Sequence, residues 1–372
     1  MKHVCNRRQL MALAFVFSLA PMMRLLPKYC ADSAKNGSWL TPLIALPFIL
    51  LYIFFLTAFL KDRSSGEGMG EMIMRGAGSV AGGTALVLIA ANALFYCGFI
   101  LRSGADRFIT GIYTAASPLS FVIVMLGLGL LAALGPKKAI VRAAKIFAPI
   151  LAAVLVLALA FAFTTVDFAN LLPVSREGII PLIKGAAPVF NIYAGALTYV
   201  SFLEGLCPEE RNRSSAYCLW MLPITLLLIL HIAAIVGNYG AAQSAQLSYP
   251  FFTMLRDVTL FNSIERIEAF VVTLWVLPDF IVFSTVLTVA VKCLLLVFDF
   301  RPPEEARIAD MNNGRWLIPL CAAVCGAVAL TLSNNAEVMQ YYSSFVVPVL
   351  NLAVALVILP LCFIIGKLRR KI

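Results

Sequence analysis

Long apolar runs alternate along the chain with short charged or turn-forming segments, the runs falling at about 9–29, 38–60, 79–101, 116–135, 139–163, 186–207, 216–237, 264–298, 316–332 and 345–366. Crossing the hydrocarbon core takes about 20 predominantly apolar residues in a helix. The pattern therefore predicts ten membrane helices. The first run follows Lys2, Arg7 and Arg8 and is too long and too rich in Met and Pro to read as a cleaved leader, so it counts as span one. No connection is long enough for a separate domain, and 1–372 reads as a single membrane domain. The longest connections, about 164–185 and 238–263, carry Pro, Gly and aromatic residues that predict short interfacial or re-entrant helices. The glycine-rich segment 61–78 reads as a flexible linker.

Charge adds an orientation. With the N-terminus inside, twenty of the 29 basic residues fall in the cytoplasmic set and nine, including Arg24, Arg102, Arg107 and Arg176, in the other. That asymmetry predicts both termini in the cytoplasm and an even number of spans. Composition agrees: the chain is 61% hydrophobic and 13% charged, with mean hydropathy +0.92, which excludes a water-soluble globule and a disordered chain. The net charge of +10 is explained by cytoplasmic loops, so nucleic acid is not an expected partner. Nine scattered cysteines without a CxxC pair read as packing residues, and only His3 and His231 are histidines, so no metal centre, cofactor site or catalytic triad is expected.

Interrupted spans point to a binding site, because backbone freed from a helix is tolerated at membrane depth only where it lines a cavity or is buried in protein. Span one contains Ser18, Ala20, Pro21, Met22, Arg24 and Pro27. Span six runs from Lys184 through Pro188 to Asn191, Tyr193, Gly195 and Ala196. Spans one and six are equivalent if the chain is two five-helix halves, first repeat about 9–163 and second about 179–366. That is the arrangement of an inverted-repeat transporter with helices broken around a substrate. Proline kinks that bind nothing are the alternative. Asp279, beside Pro278 in the eighth run, reads either as a proton, cation or ligand-ammonium site or as a structural hydrogen-bonding group. Asn92 and Tyr96, four apart in span three, read as polar lining or as interhelical hydrogen bonders. Glu204 reads as interfacial and Arg102 as snorkelling, while Glu265, Arg266 and Glu268 read as capping the eighth helix. Gly78 and Gly82 suggest a close helix contact.

Several strings together resemble the B-subunit family of nutrient germinant receptors, the GerAB-type permeases of endospore-forming bacteria. They are Asp167 to Val174 with Gly178 to Ile183; Tyr249, Pro250 and Arg256 followed by Ile264 to Phe270 and Trp275; Gly135 to Pro149; and Leu101, Arg102 and Phe108. The resemblance implies an all-α integral membrane protein of the amino acid–polyamine–organocation transporter superfamily. That means a LeuT-like fold of ten transmembrane helices in a 5+5 inverted repeat, with helices one and six broken around a small-molecule pocket. It implies a sensor of a germinant such as an amino acid, in the spore inner membrane beside A and C subunits and membrane lipid, triggering germination. The chain departs from the family pattern where Ser18, Ala20 and Pro21 replace glycines in helix one, and where Gly195 and Ala196 stand for a Gly-Glu pair in helix six. A proton-coupled amino-acid transporter using Asp279, and a scaffold subunit with no ligand, remain the alternative readings.

Overall fold

The computed structural model describes residues 5–64, 66–111, 117–174, 178–207, 213–257, 271, 273–298, 316–332, 335–369 and 371. Among these the fold is all-helical. Helix α1 (Arg7–Arg24) starts at a capping box, in which Asn6 Oδ1 accepts from Arg8 N and Gln9 Oε1 accepts from Asn6 N. It stops at Leu25, whose φ of −127° and ψ of −9° leave the helical region, and α2 (Leu26–Ala34) resumes with Pro27 in its first turn. A 3₁₀ turn, Lys35–Leu40, leads into α3 (Thr41–Phe59), opened by Pro42.

Next come α4 (Met69–Gly111), α5 (Pro118–Leu134), α6 (Lys137–Ala162), α7 (Ile179–Ser201) and α8 (Arg213–Gln246). Two of these are kinked at glycines with positive φ, Gly78 at +86° in α4 and Gly240 at +71° in α8, conformations that a Cβ would strain. The rest are α9 (Pro250–Asp257), α10 (Val276–Phe298), α11 (Leu317–Thr331) and α12 (Glu337–Leu368). In α12 the segments Tyr342–Val346 and Val354–Ile358 are π-helical. Each ends shortly before a proline, Pro348 and Pro360, whose missing N–H cannot complete the regular ladder.

Seven helices in the described residues are long and apolar enough to cross a membrane, and Pro118–Leu134 and Leu317–Thr331 are shorter apolar helices. The protein is thus an integral, multi-pass membrane protein. All ten apolar runs carry helix, with altered bounds. Span six begins earlier than its apolar run, after Gly178 at φ +88°, and the last helix begins well before 345. Span six is also continuous through Pro188 rather than interrupted there. One proline costs a single backbone bond and a kink, which a packed helix tolerates. The start of the eighth run, with Glu265, Arg266 and Glu268, lies outside the described residues, as do His3, Arg176, Arg211, Arg301, Arg307, Arg315 and the side chain of Arg24.

The segment 61–78 is not a loose linker. Met69, Met72 and Ile73 are buried, Arg63 donates to Glu67 O at 3.1 Å and to Cys207 O at 3.2 Å, and Arg75 pairs with Glu67 at 2.9 Å. Two of its glycines serve close packing instead: a Cβ on Gly68 would meet the backbone of Phe202 and one on Gly70 the Leu296 side chain, while Gly82, beyond the segment, lies against the backbone of Ile73 within the same kinked helix. Both chain ends sit at this end of the bundle, because Cys5 N donates to Leu206 O at 3.1 Å and Arg369 donates to Ala77 O at 2.6 Å.

Candidate functional site: a cavity between four helices

At the opposite end, where α2 and the long piece of α4 finish and α7 and α12 begin, a cavity of about 350 Å³ opens between α1/α2, α4, α7 and α12. The volume is that of a small-molecule site. Its floor is aromatic. The Tyr199 ring is stacked between Phe17, at 5.7 Å, and Tyr96, at 6.0 Å, and Phe17 and Tyr96 face the cavity. Amides form the polar side: Asn191 from α7 and Asn351 from α12, with Asn351 Oδ1 accepting from Asn92 Nδ2 at 3.1 Å and Asn92 also donating to Tyr199 OH at 3.1 Å. Asn191 Oδ1 is buried and has no hydrogen-bond partner among the described residues. A buried acceptor left unmade costs free energy, so this position calls for a donor from a bound molecule or a water.

The rim is polar, with Asp32, Ser33, Ser103, Ser343 and Ser344. A clasp bridges it: Tyr29 OH and Ser343 Oγ are 2.6 Å apart, and Lys28 Nζ donates to Gln340 Oε1 at 3.2 Å, joining α2 to α12. Among the described residues the only ionisable acid or base in the lining besides tyrosine is Asp32, exposed at the mouth beside Lys35. The arrangement is suited to a compact ligand with an apolar portion against Phe17, Tyr96, Phe99 and Ile192 and a donor toward Asn191. Among the described residues no group of three or more His, Cys, Asp or Glu is placed to hold a metal ion.

Of the residues singled out from sequence, Pro21, Tyr96, Asn191 and Gly195 line this cavity, and a Cβ on Gly195 would meet nothing within 4 Å. Asn92 stands behind Asn351. Ser18 is turned onto its own helix, donating to Ala14 O at 2.9 Å, and Ala20, Met22, Tyr193 and Ala196 are buried away from the lining. Asp279 is also elsewhere. It is paired with Arg107 between α4 and α10, both side chains being 1% exposed, and the Arg107 guanidinium lies 5.9 Å from the Phe252 ring. Sequence reasoning missed Asn351, although it is the one polar side chain in its apolar run and could have been found on that ground. It also missed Phe17, Tyr29 and the serines of α12, which no spacing marks.

At the other end of α1 and α7 sits a buried charged node. Glu204, expected at the interface, is 0% exposed; it accepts from Tyr217 OH and faces Arg63 at 3.7 Å and Arg7 at 4.0 Å. Gly205 permits this by letting the chain turn close against the backbone of Gly66. Lys292 donates to Phe202 O at 2.9 Å and pairs with Glu71 at 2.8 Å, so the turn after α7 is held from α1, α4, α8 and α10 together. Arg102, expected to snorkel, is instead buried and paired with Asp106 at 3.0 Å, one helical turn away.

A family model described as spore germination protein matches residues 5–336. Spore germination protein A2 of Bacillus subtilis (strain 168) is 22% identical over 261 residues, 69% of this chain and 71% of that protein. Among solved structures, MhsT in complex with L-phenylalanine superposes with a TM-score of 0.61 at 16% identity, over 98% of this chain and 88% of that one. A substrate-bound, outward-open Na⁺-coupled sialic acid symporter gives 0.62 at 11% identity, over 94% and 79%. At such identities these two structures establish the fold, which is LeuT-like.

Proposed function

The chain belongs to the spore germination protein family, and from that premise we propose that it is the transporter-like subunit of a spore nutrient germinant receptor, taking a small molecule, an amino acid, into the cavity between α1/α2, α4, α7 and α12. The observation that carries this reading is Asn191, which lines that cavity beside an aromatic floor and whose Oδ1 has no partner among the described residues. An α-ammonium is the donor that such an acceptor selects, and the apolar wall takes the side chain. The serines of the rim suit the carboxylate. MhsT, which shares the fold, has been solved with L-phenylalanine.

In this reading the ten helices form two inverted five-helix repeats, about 9–163 and 179–366, within one domain. Helix one is broken at Leu25, and helix six, continuous through Pro188, ends at the turn after Ser201. Both termini face the cytoplasm, in the spore inner membrane, and A and C subunits are the partners. Ligand binding draws α2 and α7 toward α12. Because α1 and α7 also end at the Glu204 node, occupancy of the cavity biases that node between two states and the partners read the change. The protein acts by binding and carries out no chemical conversion.

Asp279 favours a receptor over proton-coupled transport, since its charge is already engaged by Arg107. Saturable binding of a member of an amino-acid panel to the purified chain, reduced in Asn191→Leu, is the expected result. Absence of saturable binding across the panel returns the chain to a scaffold role. Uptake into vesicles that follows a proton gradient and is abolished by Asp279→Asn makes it a transporter instead.

A further inference from the structure

Away from the cavity, α6 carries a surface that the described residues leave bare. Lys138, Arg142 and Lys145 are exposed and spaced four and three residues apart, so they stack on one face of the helix over about 10 Å. The same face continues as Pro149, Ala153, Val156 and Ala160, all exposed. Ile146 and Leu157 flank it at 61% and 58% exposure. Among the described residues none of the three cations has a hydrogen bond or ion pair. Residues 118–166 contain no Asp or Glu to neutralise them.

Cations above an apolar stripe on one helix face are complementary to an amphiphile with an anionic head and a hydrocarbon tail. A soluble polyanion or an acidic protein segment would use the upper half of this surface and leave the lower half unexplained. We propose that this face of α6 binds an anionic phospholipid, the phosphate held by Lys138, Arg142 and Lys145 and an acyl chain laid along Pro149, Ala153 and Val156. The planar guanidinium of Arg142 suits two phosphate oxygens at once, and the flanking lysines reach the head with their stems on the apolar surface. The site is independent of the ligand cavity and does not rest on the function proposed above.

The test uses the full chain in phosphatidylcholine nanodiscs doped with spin-labelled phosphatidylglycerol or spin-labelled phosphatidylcholine, the motionally restricted fraction being read by electron paramagnetic resonance. The wild type is expected to enrich phosphatidylglycerol, each cation contributing up to about fivefold. Replacing the three cations together by Gln (K138Q/R142Q/K145Q) removes the preference, and Arg142→Gln alone lowers it. The charge-keeping K138R/R142K/K145R retains it, as does K61Q/K371Q, which removes exposed cations elsewhere. Equal restriction of the two lipids by the wild type, an unchanged preference in the Gln variants, or an equal loss in K61Q/K371Q overturns the proposal. So does displacement by inorganic phosphate beyond that caused by sulfate at matched ionic strength, which would assign the cations to free phosphate.

Discussion

In the proposed function, Asn191 is the side chain on which recognition turns. Its Oδ1 lacks a partner among the described residues, so Asn191→Leu removes the acceptor that the ligand would meet. A lost hydrogen bond to a charged donor is worth about 1.5–3 kcal/mol, so ligand affinity should fall at least about tenfold. Asn191→Asp, which offers a stronger acceptor to an ammonium, should keep or raise affinity. Binding isotherms of the two variants decide the matter, and equal weakening by both would mean that Asn191 only packs. Asp279 behaves differently. Asp279→Asn leaves Arg107 buried without its counter-charge, a loss of about 3–5 kcal/mol, and should lower the unfolding midpoint in detergent strongly. The double variant Asp279→Leu with Arg107→Met should recover much of that, because a buried ion pair contributes little beyond its own desolvation cost.

The node at the end of α7 is where helices answer to one another. Glu204→Gln preserves the shape and a hydrogen bond to Tyr217 while removing the charge that Arg7 and Arg63 face. The prediction is that Cys207, buried beside this node, reacts severalfold faster with a small maleimide in the variant, followed by mass spectrometry of its peptide. An unchanged rate would deny Glu204 a latching role. This element was only half legible in the sequence. Apolar runs located the helices because a bilayer demands continuous apolar faces, and Pro21 and Pro27 marked the interruption now found at Leu25. The buried position of Glu204 depends on Gly205 approaching Gly66, a contact between segments far apart in the chain that no periodicity encodes. Likewise Asp279 could be recognised as costly, but not as already paired with Arg107, which lies 172 positions away.

At the scale of the molecule, Cys5 and Arg369, near the two chain ends, lie at one end of the bundle and the cavity opens at the other. Reporter fusions at the N- and C-termini should therefore be reached from the same side of the membrane, the cytoplasmic side by the charge asymmetry. Fusions reporting opposite sides would exclude an even span count. The class of protein was readable from hydropathy and charge alone, whereas the cavity was readable where a helix announced itself by Pro or Gly and, for Tyr96, by its spacing from Asn92. Asn351, Ser343 and Ser344 came from α12, whose two prolines were not read as marking a site. The central claim is that occupancy of this cavity triggers the response, and Gly195 gives direct access to it, since its Cα faces open space. Germination of spores carrying Gly195→Phe, at wild-type protein level and across a panel of amino acids, should need at least about tenfold more nutrient, as the ring fills the cavity beside Asn191. A dose-response identical to wild type would contradict the assignment of the site.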